Sequence, residues 1–291
     1  MPRSAPLTID PGSPPFDRYK GLRWLAPERS GHEPNDRGRH HLFIARERHN
    51  PVNVLIKVTS KPGLVYEQDL DNEFRSLSTI NHRLPHSAYF PFVHDQGRLP
   101  DGRRFLVTSL FDEFPLATLV EPSPEPAHLV RDLRIGIEIA RALGELHGVD
   151  IVHVDLNPMN VLYRTGPNRP VIRIVDFESS YERGRHAAGG PYNPPMTAGF
   201  TAPEVAHQAP DPRSDVFSLG AVLYTLLVGY QRWPASDTRS RVEADTALDA
   251  DLKAALLRAL AREPDRRFDS IQGFEAALGA YLEQIWPGRA W

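Results

Sequence analysis

Apolar and polar positions alternate along VNVLIKV at 52–58, placing Val52, Val54, Ile56 and Val58 on one face and Leu55 and Lys57 on the other. That two-residue period predicts a strand. The next apolar residues, Leu70, Phe74, Leu77, Ile80 and Leu84, recur at three- and four-residue steps, which predicts a helix over 66–84. Two further strands are expected near 92–98 and 103–109, parted by the turn signal Pro100-Asp101-Gly102. From Tyr19 to about Ser109 the chain therefore reads as mainly strand with one helix.

Beyond Phe111 the period changes. Leu129, Leu133, Ile137, Ala140 and Leu143 mark an amphipathic helix over 127–147, after the loop EPSPEP at 121–126. The short runs NVLY and VIRIV read as a strand pair. The segment 179–200 is rich in Gly, Pro, Tyr and Arg, shows no period and is expected to be a long loop. DVFSLGAVLYTLLVG at 215–229 is apolar on all sides and predicts a helix buried all round. Two amphipathic helices follow, one through Leu252, Leu256 and Leu260, the other capped by Asp269 or Ser270 and running through Ile271, Phe274, Leu278 and Leu282. The pattern implies an α+β protein with a small β-rich lobe at 19–109, a larger, mostly helical lobe at 110–291 and a flexible proline-rich leader at 1–18.

Composition narrows the function. A formal charge of −3 argues against a nucleic-acid or membrane-surface binder. The chain has no cysteine, which excludes disulfides, thiolate zinc sites and cysteine nucleophiles and fits a cytoplasmic setting. No apolar run reaches the ~20 residues that span a bilayer. Among basic residues arginine dominates, and the only lysines are Lys20, Lys57, Lys61 and Lys253.

The candidate chemistry centres on HVDLNPMN at 153–160. Asp155 and Asn160 stand there in the order D-x-x-x-x-N, and Asp176 follows the strand pair in VDFE. Carboxylate and amide oxygens are hard ligands suited to Mg²⁺ bridging phosphates, and a further carboxylate can accept a hydroxyl proton. Each residue alone is equally a turn former. Glu73 shares an edge of its helix's apolar face and needs a partner, for which Lys57 is the best candidate; a surface lysine with a snorkelling glutamate is the alternative.

These motifs resemble the eukaryotic-type protein kinases, specifically their bacterial Ser/Thr members, over roughly residues 19–285. The resemblance implies the bilobal kinase fold, with ATP and Mg²⁺ as cofactors and a protein as substrate or partner. VLIK is similar to the strand-three lysine motif, which makes Lys57 a ligand of the α- and β-phosphates and Glu73 its helix-C partner. HVDLNPMN resembles H-R-D-L-K-P-x-N, with His153 opening the loop, Asp155 as base and Asn160 as metal ligand. DFE stands where D-F-G is expected, so Asp176 is the second metal ligand, followed by Phe177 and Glu178. MTAGFTAPE places Thr197 and Glu204 at the end of an activation segment. SDVFSLG makes Asp215 the anchor of the catalytic loop, and EPDRRF supplies Arg267 as the partner of Glu204. The hinge is expected at Ser109, Leu110 and Phe111, with Thr108 guarding the adenine pocket.

The sequence departs from that pattern at four places. No G-x-G-x-x-G precedes Lys57; the equivalent positions fall near Asn35, Arg37 and His40, and two readings stay open, that Arg37 or Arg39 contacts phosphate from a side chain instead or that the loop covers nucleotide poorly. His32, His40 and His41 read as solvated loop histidines. Val154 replaces the arginine that reads an activation-loop phosphate, which implies that this switch is missing. Asn157 replaces the lysine that steadies the γ-phosphate; as a catalytic residue it is expected to touch that phosphate with an amide hydrogen bond but no charge, a loss of roughly 3–4 kcal/mol unless Arg183, Arg185 or another cation compensates. Glu178 replaces a glycine, which implies one locked conformation. The stretch before DADLKAALL is short, so helix G is expected to be reduced or lost. An active Ser/Thr kinase, slow or atypically regulated, is thus weighed against a nucleotide-binding pseudokinase that acts as scaffold or allosteric partner, and against a small-molecule phosphotransferase. With no membrane segment in the sequence, input is expected from a partner, the nucleotide or the glycine-poor loop, and the chain could belong to a larger complex.

Overall fold

The computed structural model describes residues 12–25, 39–119, 126–166, 168–190, 192–195, 197–229 and 237–288. These form two compact units. One takes in the described residues up to Ser78 with Pro91–Asp112; the other takes in Thr79–Phe90 and the described residues from Glu113 onwards. The division expected at 109/110 therefore falls three residues later, and 79–90 group with the helical unit.

The first unit is built on five antiparallel strands, β1 (Tyr19–Trp24), β2 (His40–Glu47), β3 (Asn53–Thr59), β4 (Val93–Arg98) and β5 (Arg104–Ser109), in the order β1-β2-β3-β5-β4. The alternation in β3 is realised as read: Val54, Ile56 and Val58 are fully buried, packed with Phe43, Phe105 and Val107. Burial of such side chains is worth ~1.5–3 kcal/mol each. Phe16 joins this core at 2% exposure, edge-on to Phe105 with ring centroids 5.3 Å apart. The expected leader is thus corrected at its end. Residues Phe16–Arg18 form a 3₁₀ turn, because burying an aromatic ring outweighs the cost of ordering a few residues; residues 1–11 lie outside the described residues.

The unit's helix, α1 (Leu64–Arg83), begins after Gly63, whose carbonyl accepts the N–H groups of Tyr66 and Glu67 while Glu67 returns a carboxylate to the Gly63 N–H at 3.1 Å. Gly63 has a φ of 124°, a conformation that side chains resist. Leu70, Leu77 and Ile80 are buried at the predicted helical spacing.

The second unit holds β6 (Phe114–Pro115), α2 (Pro126–His147), β7 (Ile151–Val152), β8 (Val161–Arg164), β9 (Val171–Ile174), β10 (Tyr181–Glu182), α3 (Arg183–His186), α4 (Pro212–Val228), α5 (Thr238–Ala244), α6 (Ala250–Ala259) and α7 (Ile271–Ile285). α4 is buried continuously from Ser214 to Leu226, as its all-round apolar sequence requires. It starts three residues before the expected point, because Asp211 caps the Arg213 N–H at 2.8 Å and Pro212 occupies the first turn. A Cβ on Gly220 would come within 3.0 Å of Ala259, so glycine is what lets α6 approach α4. Ser270, one of the two expected caps, accepts the Gly273 N–H at the start of α7.

Two expectations change. The segment 179–200 is not a bare loop: it contains β10, paired with β7, and the one-turn α3. Elements this short leave no period in a sequence. Helix G is reduced rather than lost: α5 has seven residues, is capped by Asp237, and gives the Thr238 hydroxyl to the Gly199 carbonyl at 2.7 Å.

Candidate active site

In the first unit, the face of β3 opposite the Val/Ile row presents Lys57, whose Nζ donates to Glu73 Oε2 at 2.7 Å; the side chains are 11% and 5% exposed. The alternative of a solvated lysine is thereby removed. Thr108 is buried at the end of β5. The Ser109 N–H donates to the Phe92 carbonyl at 2.9 Å, and the Leu110 N–H donates to Asn53 O at 3.1 Å. Phe111 is half-buried. Arg39, expected to reach phosphate, instead pairs with Asp69 on α1. His40 donates to the Tyr66 carbonyl at 3.3 Å, and His41 meets Trp24 edge-on, so neither is a solvated loop residue. Asn35, Arg37 and His32 lie outside the described residues.

In the second unit, the loop HVDLNPMN joins β7 to β8. Its backbone is held by Asp215, fully buried on α4, which accepts the N–H of His153 at 2.9 Å and of Val154 at 2.8 Å. His147, at the end of α2, donates its Nε2–H to the same carboxylate at 2.8 Å. This histidine was not among the expected site residues. Its only sequence signal is its place in the last turn of a helix, 68 residues from its partner. Val154 is fully buried with a φ of 70°, in the left-handed region that β-branched residues avoid. His153 donates Nε2–H to the Val175 carbonyl at 3.1 Å and stacks edge-on against Phe177 at 5.0 Å. Burial holds its imidazole below the ordinary histidine range.

The hairpin β8–β9 then fixes what flanks it. Val161 faces Ile174, and one step outward the Val175 N–H donates to the Asn160 carbonyl at 3.0 Å. Asn160 and Asp176 therefore stand at the same end of one hairpin. Asn160 gives its Nδ2 to the Asp155 carbonyl at 3.0 Å, which leaves Oδ1 as the atom it can offer a cation. Asp176 adopts a φ of 68°, and after it Phe177 is fully buried against Phe90 as well as His153. Glu178 is not among the residues with positive φ, so the absent glycine brings no strain there.

Asp155 accepts the Thr197 hydroxyl at 2.5 Å. Thr197 is itself set by a tight turn in which its N–H donates to Thr201 Oγ1 at 2.9 Å. The Asp155 carboxyl is pushed up to about 7, first by burial and then by the charges of Asp176 and Glu178, against the Thr197 and Asn157 hydrogen bonds, which pull it down. Carboxylates that sense one another's charge, together with the amide oxygen of Asn160, are the hard donors that a divalent cation such as Mg²⁺ takes.

Asn157 departs from its expected part. It is buried, its Nδ2 donates to the Asp155 carbonyl at 3.0 Å, and its Oδ1 accepts the Met159 N–H at 2.9 Å. The side chain is a staple within the loop. Of the two arginines expected to compensate, Arg185 pairs with Glu182 at 3.1 Å and Arg183 is exposed. Beyond Asp176, the rings of Tyr181, His186 and Tyr192 pack together at 4.9–5.3 Å, and the Ser180 hydroxyl donates to the Phe177 carbonyl. Glu204 and Arg267 form the expected pair, two bonds of 2.6 and 2.7 Å, with Arg267 fully buried.

Residues 44–270 match the protein kinase domain family. The chain belongs to that family. Among its relatives, serine/threonine-protein kinase PknK of Mycobacterium bovis is 33% identical over 64% of this chain and 18% of its own length. Serine/threonine-protein kinase pkn3 of Myxococcus xanthus is 26% identical over 92% of this chain and 52% of its own. The chain thus spans about half or less of these curated relatives. In fold, this kinase domain is similar to the crystal structure of the Mycobacterium tuberculosis PknI kinase domain, with a TM-score of 0.62, 22% identity, and coverage of 94% and 99% of the two chains. No helix among the described residues is long and apolar enough to cross a membrane.

Proposed function

We propose that this kinase domain transfers the γ-phosphate of ATP to serine or threonine hydroxyls of a protein. The observation that carries the reading is the 2.5 Å bond from Thr197 to Asp155, in a loop whose backbone is held by Asp215. It marks Asp155 as a carboxylate already oriented toward a hydroxyl, the atom type a phosphoacceptor presents. The serine/threonine-kinase names of the relatives support the same substrate class.

In this reading Lys57, oriented by Glu73, holds the α- and β-phosphates, and Thr108 through Phe111 face adenine. Asn160 Oδ1 and Asp176 hold Mg²⁺, which when bound neutralises charge on the phosphate oxygens. Asp155 takes up the proton of the acceptor hydroxyl, and Thr197 keeps that carboxylate aimed and its affinity for the proton moderate. Asn157 keeps the loop's shape rather than touching phosphate, so transfer proceeds slowly, without the charge a lysine would bring there. Loss of that charge is the observation favouring a second reading, a nucleotide-binding scaffold that does not transfer. The Glu204–Arg267 pair and the family match speak against a small-molecule phosphotransferase.

The test is radiolabel transfer from γ-labelled ATP with Mg²⁺ to the protein itself or to a generic Ser/Thr substrate. Transfer is expected, and Asp155→Ala should abolish it; labelling that survives this substitution would sink the assignment of the base. A melting temperature raised by nucleotide, without transfer, would establish the scaffold instead.

A further inference from the structure

The sequence of α1 places acids at every second position: Glu67, Asp69, Asp71 and Glu73. At about 100° per residue, Glu67 and Asp71 share one side of the helix, and Asp69 and Glu73 share another about 160° round. Each acid meets a cation from a different part of the sheet. Arg98 of β4 grips Glu67 with two parallel bonds of 2.6 and 2.8 Å, and Arg104 of β5 pairs with Asp71. Arg39, immediately before β2, pairs with Asp69, and Lys57 of β3 pairs with Glu73 at 2.7 Å. In the sheet order β1-β2-β3-β5-β4, the first two cations come from one side and the last two from the other. Glu67, Asp69 and Glu73 are all at least nine-tenths buried.

Ion pairs on two sides of a helix oppose rotation in both senses. A single Lys–Glu contact would allow the helix to turn and release it. We propose that Arg39, Arg98 and Arg104 are positioning residues for Lys57: they lock α1 in one rotation, so that the Lys57–Glu73 pair is formed before any nucleotide or partner arrives. Arg39 and Arg98 are exposed, and each contributes little by itself. Together they hold the part-exposed Asp71 and two buried carboxylates, Glu67 and Asp69, which would be stranded if the helix turned. The assignment of a phosphate-binding role to Lys57 rests on the function proposed above; the locking of its ion pair does not.

Lysine acylation reads the lock directly, since the chain's few lysines supply their own references. In nucleotide-free protein treated with an N-hydroxysuccinimide acetate ester and analysed by peptide mass spectrometry, Lys57 should react slowly and the exposed Lys20 and Lys61 quickly. The double substitution Arg98→Gln with Arg104→Gln should speed Lys57 about tenfold by local opening, with Lys20, Lys61 and Lys253 unchanged. An unchanged Lys57 rate would overturn the proposal. Where all lysines speed together, the fold has been lost, and the charge swap decides: Arg98→Glu with Glu67→Arg should restore slow labelling relative to Arg98→Glu alone, and failure to restore it would also overturn the proposal. Calorimetry with Mg²⁺ and a non-hydrolysable ATP analogue separates the two readings. Unaltered protein that binds no nucleotide refutes the kinase function, whereas the Lys57 labelling still decides the lock.

Discussion

Asp215 accepts the backbone N–H of Val154 at 2.8 Å and so holds a buried β-branched residue at a φ of 70°. The same carboxylate accepts His153 N–H and His147 Nε2–H. Asparagine has the shape but would turn an N–H₂ toward donors. Asp215→Asn should therefore cost at least about 1.5–3 kcal/mol, seen as a lowered melting temperature. Turnover should fall further than nucleotide affinity, because the loop carrying Asp155 loosens. Unchanged stability would mean that the loop does not depend on this carboxylate.

Asp155 also fixes a pH signature. Its carboxyl titrates at about 7 in the folded protein against an ordinary 3.8, so the folded state holds the proton more tightly than the unfolded chain. Ionisation of Asp155 therefore imposes no cost below pH ~4, and stability is lost as the pH rises from there to about 7. Asp155→Asn removes the penalty. The variant should melt above the unaltered protein at pH 8, and the gap should close on acidification to pH ~4. A gap independent of pH would contradict the raised value.

Thr197 gives a kinetic counterpart. Its hydroxyl lowers the Asp155 value, so Thr197→Val should move the acidic limb of the pH dependence of kcat/KM upward from about 7. Thr197→Ser, which retains a donor, should leave that limb in place. Coincident profiles for the three proteins would detach the threonine from the base.

The Glu204–Arg267 pair makes a prediction about stability alone. Arg267 is fully buried and also donates to the carbonyls of Ala261, Arg213 and Arg262. Arg267→Met leaves the buried Glu204 carboxylate with the Ser214 hydroxyl as its donor among the described residues, and should cost about 3–5 kcal/mol. Urea denaturation would show this as a lower midpoint with an unchanged slope.

Regular elements that span several periods were legible in the sequence: the alternation of β3, the stripe of α1, and the unbroken apolar run of α4. The Lys57–Glu73 pair was an open choice from spacing alone and became an expectation only through family resemblance. Other features were hidden for physical reasons. Asn157 reads as a missing charge because a sequence shows what a residue lacks, not which backbone groups it binds. The aromatic packing of Tyr181, His186 and Tyr192 occurs in a segment whose elements are shorter than any period. The arginines facing α1 come from two strands and from the residue before a third, where they look like ordinary surface residues, and His147 meets Asp215 only through the packing of α2 on α4.

The packed rings of Tyr181, His186 and Tyr192 give the stretch after Asp176 a small core of its own. A segment ordered by its own side chains holds its shape through packing. Each of the three rings touches the other two, so removing any one of them should loosen the whole stretch.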